Sequence, residues 1–244
     1  MSVLIAIDQG TTSTRTVAYD KDLNIVYSEQ QEYSLQYPQD GWVEIDPLEL
    51  MQSVYGTLDP VLNSCPQITG VGITNQRETT LVWDADSGEP IYNAIVWQDR
   101  RTADECLRLK EAGFEKSIKT KTGLLLDPYF SATKISWILD NVQGARAKAD
   151  KGKLRFGTVD TFLLWQLSEG SIFKTDVTNA SRTNIYNIHA KEWDDDLLKI
   201  FNVPRSMLPE VHASDASFGM FERNNKNLKI TGVIGDQQSA LVGQ

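Results

Sequence analysis

Five apolar residues, Val3-Leu4-Ile5-Ala6-Ile7, run directly into Asp8-Gln9-Gly10-Thr11-Thr12-Ser13-Thr14-Arg15, and no other stretch restricts the fold as much. A short run rich in β-branched residues reads as a buried strand. An acid, a glycine, four hydroxyl residues and an arginine follow it. Gly10 permits a tight turn. The turn's N–H groups, with the hydroxyls of Thr11, Thr12, Ser13 and Thr14, offer many donors to an anion. Arg15 adds a permanent positive charge. Asp8 alone repels phosphate, so its place here points to a bridging cation, Mg²⁺ first among candidates. The same residues also suit a polar β-hairpin with an Asp-Gly-type turn.

Further strand signals lie at Thr16–Tyr19 and from Ile25 onward, separated only by short turns. Connections this short make neighbouring strands antiparallel, so the chain opens with a β-meander. Asp46, Pro47 and Glu49 fit the N-cap, first and third positions of a helix. Leu48, Met51, Val54, Tyr55, Leu58, Val61 and Leu62 give that helix its apolar stripe, and Pro60 predicts an irregular last turn. Trp42 reads as a packing residue. Residues 68–74, 81–83 and 91–97 read as strands, and helices are expected around 101–111, 131–141 and 158–167. Residues 142–155 read as polar surface, Asn184–Ile188 as a strand, and Trp193–Phe201 as a short helix. Glu222–Asn227 reads as a polar turn. His189 and His212 read as ordinary surface or boundary residues.

Near the end, Ile230–Gly235 runs into Asp236-Gln237, repeating the Asp8-Gln9 pair after an apolar strand. Two such strands side by side would aim two carboxylates at one cleft, where ligands of α/β sheets collect. Asp236 also suits the N-cap of a closing helix, and both roles can hold together.

The 244 residues suffice for one large domain or two small ones. A formal net charge of −9 argues against sequence-independent nucleic-acid binding. No apolar run approaches the roughly 18 residues of a membrane span, and we expect no signal peptide. Cys65 and Cys106 form neither a disulfide framework nor a metal spacing, which fits a reducing cytoplasm.

Together these motifs resemble the FGGY family of carbohydrate kinases over nearly the whole chain. Asp8–Arg15 is similar to the family's first phosphate motif, and Gly41–Pro47 to its Gly-Trp-x-Glu-x-Asp-Pro segment. Asn75-Gln76-Arg77-Glu78-Thr79 and Trp97-Gln98-Asp99-Arg100-Arg101 resemble the polyol motifs of members that act on glycerol. Tyr129–Trp137 resembles the first family signature, and Gly235-Asp236-Gln237-Gln238 the catalytic segment. The phosphate motif is shared with the wider actin-like ATPase clan. The Arg-Glu pair, the Trp-Gln-Asp run and Gly-Asp-Gln-Gln, in this order, are the specific part.

The resemblance implies an α/β fold: an RNase H-like, actin-like ATPase domain with a mixed β-sheet and inserted α+β segments. It implies that residues 1–244 are the N-terminal, polyol-binding and catalytic-base domain, and that a second, nucleotide-binding domain is absent from this chain. The implied activity is ATP-dependent, Mg²⁺-assisted phosphorylation of glycerol to glycerol 3-phosphate in glycerol breakdown, in the cytoplasm. This half would be inactive alone, and the intact enzyme is expected to be a homo-oligomer.

Roles carried over by resemblance fall on particular residues. Asp236 would be the general base and Arg15 would offset charge on the transferring group. Gly10, Thr11, Thr12, Ser13, Thr14 and Arg15 would hold phosphates, and Asp8 would hold Mg²⁺ through water. Arg77, Glu78, Trp97, Tyr129, Asp236 and Gln237 would contact the polyol. Glycerol offers little apolar area, so binding it needs directed hydrogen bonds from groups left unpaired by a poorer analogue. Neighbouring strand residues point to opposite faces, so Arg77 and Glu78 can share a ligand only beyond the strand's end. From the residues alone, Arg77 and Glu78 read first as a solvated pair on a sheet edge and Trp97 as core, while Tyr129 suits a packed loop-to-helix entry equally well. Lys134 and Trp137 read as structural. The competing readings are a related kinase for another polyol or ketose, and a non-catalytic actin-like module.

Overall fold

The computed structural model describes residues 2–244. Its centre is a six-stranded mixed sheet. From one edge to the other run Gly219–Arg223, Lys226–Gly235, Gln67–Asn75, Ser2–Gln9, Ser13–Tyr19 and Ile25–Glu32. The opening strand Ser2–Gln9 pairs antiparallel with Ser13–Tyr19, which pairs antiparallel with Ile25–Glu32, the expected meander. The central strand Gln67–Asn75 runs parallel to the opening strand on one side and to the closing strand Lys226–Gly235 on the other. The carboxyl ends of three strands therefore share one edge.

Period-two alternation fixes the faces. Val3, Ile5, Ile7 and Gln9 are buried, while Leu4 and Asp8 are exposed on the opposite face. The helix Pro47–Ser64 packs Met51, Val54, Leu58, Val61 and Leu62 into the same core as Ile5, Ile7 and Val71, with Tyr55 half-buried against it, whereas Leu48, expected in that stripe, is exposed at the helix's first turn. It begins as expected, Asp46 accepting the Leu48 N–H at 2.8 Å, and it continues through Pro60 to Ser64. The same interface consumes Thr14, whose hydroxyl pairs with Ser53 at 2.6 Å. A second core, containing Ile95, Ile135, Phe156 and Trp193, sits in the inserted segments.

Several elements differ from the sequence expectation. The strand expected over 91–97 is reduced to Ala94–Ile95, paired with Glu44–Ile45, and that over 184–188 to Tyr186–Asn187, paired with Glu192–Trp193. Trp193 thus lies in a strand, and the following helix is Asp195–Phe201, capped by Asp194. The stretch 142–155 is less superficial than its polarity implies. Ala145 and Ala149 are buried on a short helix, and Leu154–Gly157 pairs with Leu81–Asp84. The polar turn is a hairpin tip with Asn224 and Asn225 both left-handed, the geometry a two-residue hairpin loop requires.

Trp42 packs as expected, and its partner is a buried charge. The Arg101 guanidinium lies 3.8 Å from the Trp42 ring and bonds Glu44 at 2.7 Å and Asp99 at 2.8 Å. Asp99 also accepts the Val43 N–H at 2.6 Å. This knot anchors the loop that carries Trp97. Among the described residues, no helix is long and apolar enough to cross a membrane.

Candidate active site

The shared strand edge carries two carboxylates and an aromatic-lined pair of buried charges. Asp8 lies opposite Thr74 on the central strand, and Ile234 lies opposite the same Thr74 from the other side. The strands leading to Asp8 and Asp236 are thus not side by side, because the central strand separates them. Their carboxylates still act on each other. Although Asp8 stands on the exposed face, its carboxyl is held above the ordinary range, first by partial desolvation from its neighbours and then by the negative charge of Asp236, with Arg15 pulling it back. Arg15 is Asp8's cross-strand partner and donates to Ser28 at 3.2 Å.

Between the first two strands the turn at Gly10–Ser13 closes with Gly10 N–H on the Ser13 carbonyl at 2.9 Å. A Cβ on Gly10 would sit 3.3 Å from that carbonyl oxygen, tighter than most side chains tolerate. The turn is braced from beneath. The Gly10 carbonyl accepts the side-chain amides of Gln9 at 2.8 Å and Gln76 at 3.0 Å, together with the Tyr33 hydroxyl. Thr12 is exposed and Ser13 is half-buried. Thr11 accepts the Trp97 indole N–H at 2.9 Å, so the turn touches the neighbouring aromatic wall. Thr14 is a correction: alternation sends its side chain into the core, where its hydroxyl pairs with Ser53 instead of facing the turn.

The central strand ends at Asn75, so Arg77 and Glu78 lie beyond it, as sharing a ligand demands. Glu78 adopts φ +63°, a left-handed conformation that costs a non-glycine residue about 1–2 kcal/mol. Such strain persists where surrounding contacts enforce it. Here Ser131 and Thr80 hydroxyls each donate to the Glu78 carbonyl at 3.0 Å. Arg77 is 4% exposed and donates Nε to Asp236 Oδ1 at 3.2 Å. Glu78 is 2% exposed; burial raises its pKa, and an Arg182 Nε–H bond of 2.6 Å draws it back.

Trp97 and Tyr129 face each other with ring centroids 5.6 Å apart, and the Arg182 guanidinium lies 5.6 Å from the Tyr129 ring. Lys134, wholly buried, donates Nζ to the Tyr129 carbonyl at 2.8 Å, and burial brings its pKa down to about 7. Lys134 is therefore structural, holding the Tyr129 backbone beside Trp97.

Asp236 is the first residue of the closing helix Asp236–Gly243; Gly235, not Asp236, holds the cap position. Its Oδ1 accepts Arg77 and the Gln237 N–H at 2.7 Å, whereas Oδ2 has no hydrogen-bond partner among the described residues. The side chain is 45% exposed. Negative charge in a first helical turn is favoured by the N-terminal dipole. Gly235 has to lack a side chain, since a Cβ would lie 2.5 Å from Arg77 Cδ. Gln237 is exposed one position on. His189 is exposed and His212 half-buried, both outside this cluster.

The site therefore joins Arg77, Glu78, Trp97, Tyr129 and Asp236 beside the turn at Gly10–Ser13. Sequence reasoning missed Arg182, which lies 104 residues from Glu78 in a stretch without periodicity. It also missed the Gln9–Tyr33–Gln76 brace. No group of three or more acidic, histidine or cysteine side chains among the described residues forms a self-sufficient metal cage. Asp8 and Asp236 nevertheless fit a hard cation that takes its other oxygens from phosphate and water, because their mutual repulsion is what such an ion relieves.

The fold and this edge are those of the actin-like ATPase superfamily. Residues 3–243 match the N-terminal domain of the FGGY family of carbohydrate kinases, and the chain belongs to that family. It is 56% identical over 248 residues to the glycerol kinase of Alteromonas mediterranea, covering 99% of this chain and 50% of that protein. It is 53% identical over 248 residues to that of Aliivibrio fischeri, covering 99% and 49%. The crystal structure of Plasmodium falciparum glycerol kinase with ADP superposes with a TM-score of 0.94 at 38% identity, over 100% of this chain and 50% of that one. The chain thus spans about half the length of the curated relatives it matches.

Proposed function

We propose that this chain is the polyol-binding and catalytic-base half of an enzyme that transfers the γ-phosphoryl group of ATP to a terminal hydroxyl of glycerol, giving glycerol 3-phosphate. The observation that carries the reading is the convergence of Arg77, Glu78, Trp97, Tyr129 and Asp236 beside the phosphate turn. The names of its relatives support glycerol as the acceptor.

In this reading Arg77 donates to glycerol hydroxyls, and Glu78 and the Tyr129 hydroxyl pair with them. The Trp97 ring covers the carbon face, flat and apolar. Gln237 is placed to add a contact from the closing helix. Asp236 Oδ2 takes the proton of the terminal hydroxyl as its oxygen bonds the γ-phosphorus and the bond to the ADP oxygen breaks. Arg77 on Oδ1 keeps the carboxylate turned so that Oδ2 is the oxygen left open. The Gly10–Ser13 turn and Arg15 offer donors to the phosphates, and Asp8 would hold Mg²⁺ through water. A bound Mg²⁺ neutralises phosphoryl charge. Contacts to the adenine and the remaining phosphates come from sequence outside these residues, so this half alone does not turn over. We place the enzyme in a reducing cytoplasm, consistent with the free, buried Cys65 and Cys106.

The test is a titration of this chain with glycerol, erythritol and xylulose, following the Trp97 indole N–H by NMR. Saturable shifts with glycerol that vanish in Arg77→Ala are expected. Saturation by erythritol or xylulose and none by glycerol would overturn the substrate assignment.

A further inference from the structure

Two of the site's strand ends are tied to one buried carboxylate that the proposed chemistry does not use. Asp176 is fully buried at the end of the short strand Lys174–Asp176. Its Oδ1 accepts the backbone and side-chain N–H of Asn179 at 2.9 and 2.8 Å. Its Oδ2 accepts the Thr178 hydroxyl at 2.6 Å, the Thr178 N–H at 3.0 Å and the Ser214 hydroxyl at 2.7 Å. Two arms leave this centre. The Thr178 oxygen accepts the Gly235 N–H at 2.8 Å, one residue before Asp236. The Asn179 side chain exchanges bonds of 2.9 and 3.1 Å with Asn75, two residues before Arg77. One carboxylate thus bears on both partners of the Arg77–Asp236 bond.

The Thr178 arm has a defined polarity. A threonine hydroxyl has one proton, and here Asp176 takes it, so the oxygen presents only lone pairs to Gly235. Donating its proton polarises the hydroxyl oxygen and improves it as an acceptor. The N–H it receives belongs to a helix end, where amides lack intrahelical partners. Ser214 shares the same Asp176 oxygen but its side chain makes no bond to Gly235 among the described residues.

We propose that Thr178 is a positioning residue for Asp236: its hydroxyl, oriented by Asp176, fixes the Ile234–Gly235 peptide immediately before Asp236, so that Oδ1 stays on Arg77 and Oδ2 faces the acceptor. This rests on the reading of Asp236 as the base. Thr178→Val keeps the shape and removes the acceptor; Thr178→Ser restores it. Ser214→Ala removes one bond from the same Asp176 oxygen and serves as the control for loss of packing, with Thr178→Ala as a second variant should valine not fold.

The first readout is amide hydrogen exchange at Gly235, which is independent of any reaction. Exchange at Gly235 is expected to rise at least tenfold in Thr178→Val or Thr178→Ala and to stay within threefold of the parent in Thr178→Ser and Ser214→Ala. The second is phosphorylation of glycerol by the intact enzyme, with kcat falling at least tenfold in Thr178→Val, glycerol KM within threefold, and serine restoring kcat. Unchanged Gly235 exchange in the valine and alanine variants, or an equal rise in Ser214→Ala, overturns the proposal. So does faster exchange with kcat intact. A parent enzyme that does not phosphorylate glycerol sinks the functional reading instead, and Gly235 exchange then still decides whether Thr178 holds that peptide.

Discussion

The turn at Gly10–Ser13, proposed to hold phosphate, and the Arg77–Glu78–Asp236 cluster, proposed to hold the polyol, lie side by side and are built in opposite ways. The turn at Gly10–Ser13 is held by neutral groups, the amides of Gln9 and Gln76 and the hydroxyl of Tyr33. The cluster is held by buried charge, with Arg77 on Asp236, Glu78 on Arg182 and Lys134 on the Tyr129 carbonyl. In the proposed reading the ligands account for the difference. A phosphate brings its own charge and needs oriented donors that do not cancel one another. An uncharged triol brings none, so the site must supply strong donors and acceptors already desolvated and aimed. Groups left unpaired in such a site are costly, which is how it discriminates. Trp97 is the seam, its ring in the cluster and its N–H on Thr11 of the turn.

The contrast can be broken most forcefully at Asp236. In the intact enzyme Asp236→Asn should lower kcat by roughly 10²–10⁴-fold, the usual contribution of a general base, with glycerol affinity nearly unchanged. Turnover within tenfold of the parent would remove Asp236 as the base. Next comes Arg77→Ala, which should raise glycerol KM at least tenfold while ATP KM stays within threefold. Equal loss of both would show that the charged cluster and the neutral turn are one structural unit.

A smaller, pH-dependent effect sharpens the role of buried charge. Lys134 has its folded-state pKa depressed to about 7 from an ordinary lysine value of 10.5. Between these values the unfolded chain holds a proton that the native amine does not. Stability from this group is therefore fully present above the unfolded pKa and lost as pH falls through 7. Urea unfolding should show stability rising from pH 7 toward pH 10 by at most about 1.4 kcal/mol per unit. Lys134→Met should flatten that rise; an unchanged slope would mean the amine is not the group responsible. The smallest effect is expected at Thr14. Thr14→Val should cost about 1 kcal/mol through the lost Ser53 bond and leave ATP KM within twofold. A tenfold rise in ATP KM would return Thr14 to the phosphate site.

What the sequence made legible was local. The opening meander, the Asp46-capped helix and the turn after Ile7 rest on periodicity and turn chemistry within a few residues. Thr14 was within reach of the same reasoning, because alternation places it on the buried face with Thr16. Treating four hydroxyls as one donor set ignored that alternation. Arg182, the Asp176 centre and the strand between Asp8 and Asp236 were not legible. Sheet order and charge pairing across 104 residues are set by tertiary packing, which leaves no periodic trace in the chain. The two-residue strands Ala94–Ile95 and Tyr186–Asn187 have the same cause: their length is set by distant or irregular partners, not by their own propensity. Gly235 shows the reverse case, a residue whose identity the sequence offered and whose reason, the Arg77 side chain across it, only the packing supplies.

The most direct test of the central claim is an acceptor panel on the intact enzyme, with ATP and Mg²⁺ and with glycerol, erythritol and xylulose compared by kcat/KM. The account predicts glycerol preferred at least a hundredfold, and that preference collapsing in Arg77→Ala. A larger kcat/KM for erythritol or xylulose, or no phosphoryl transfer to any of the three, would contradict it.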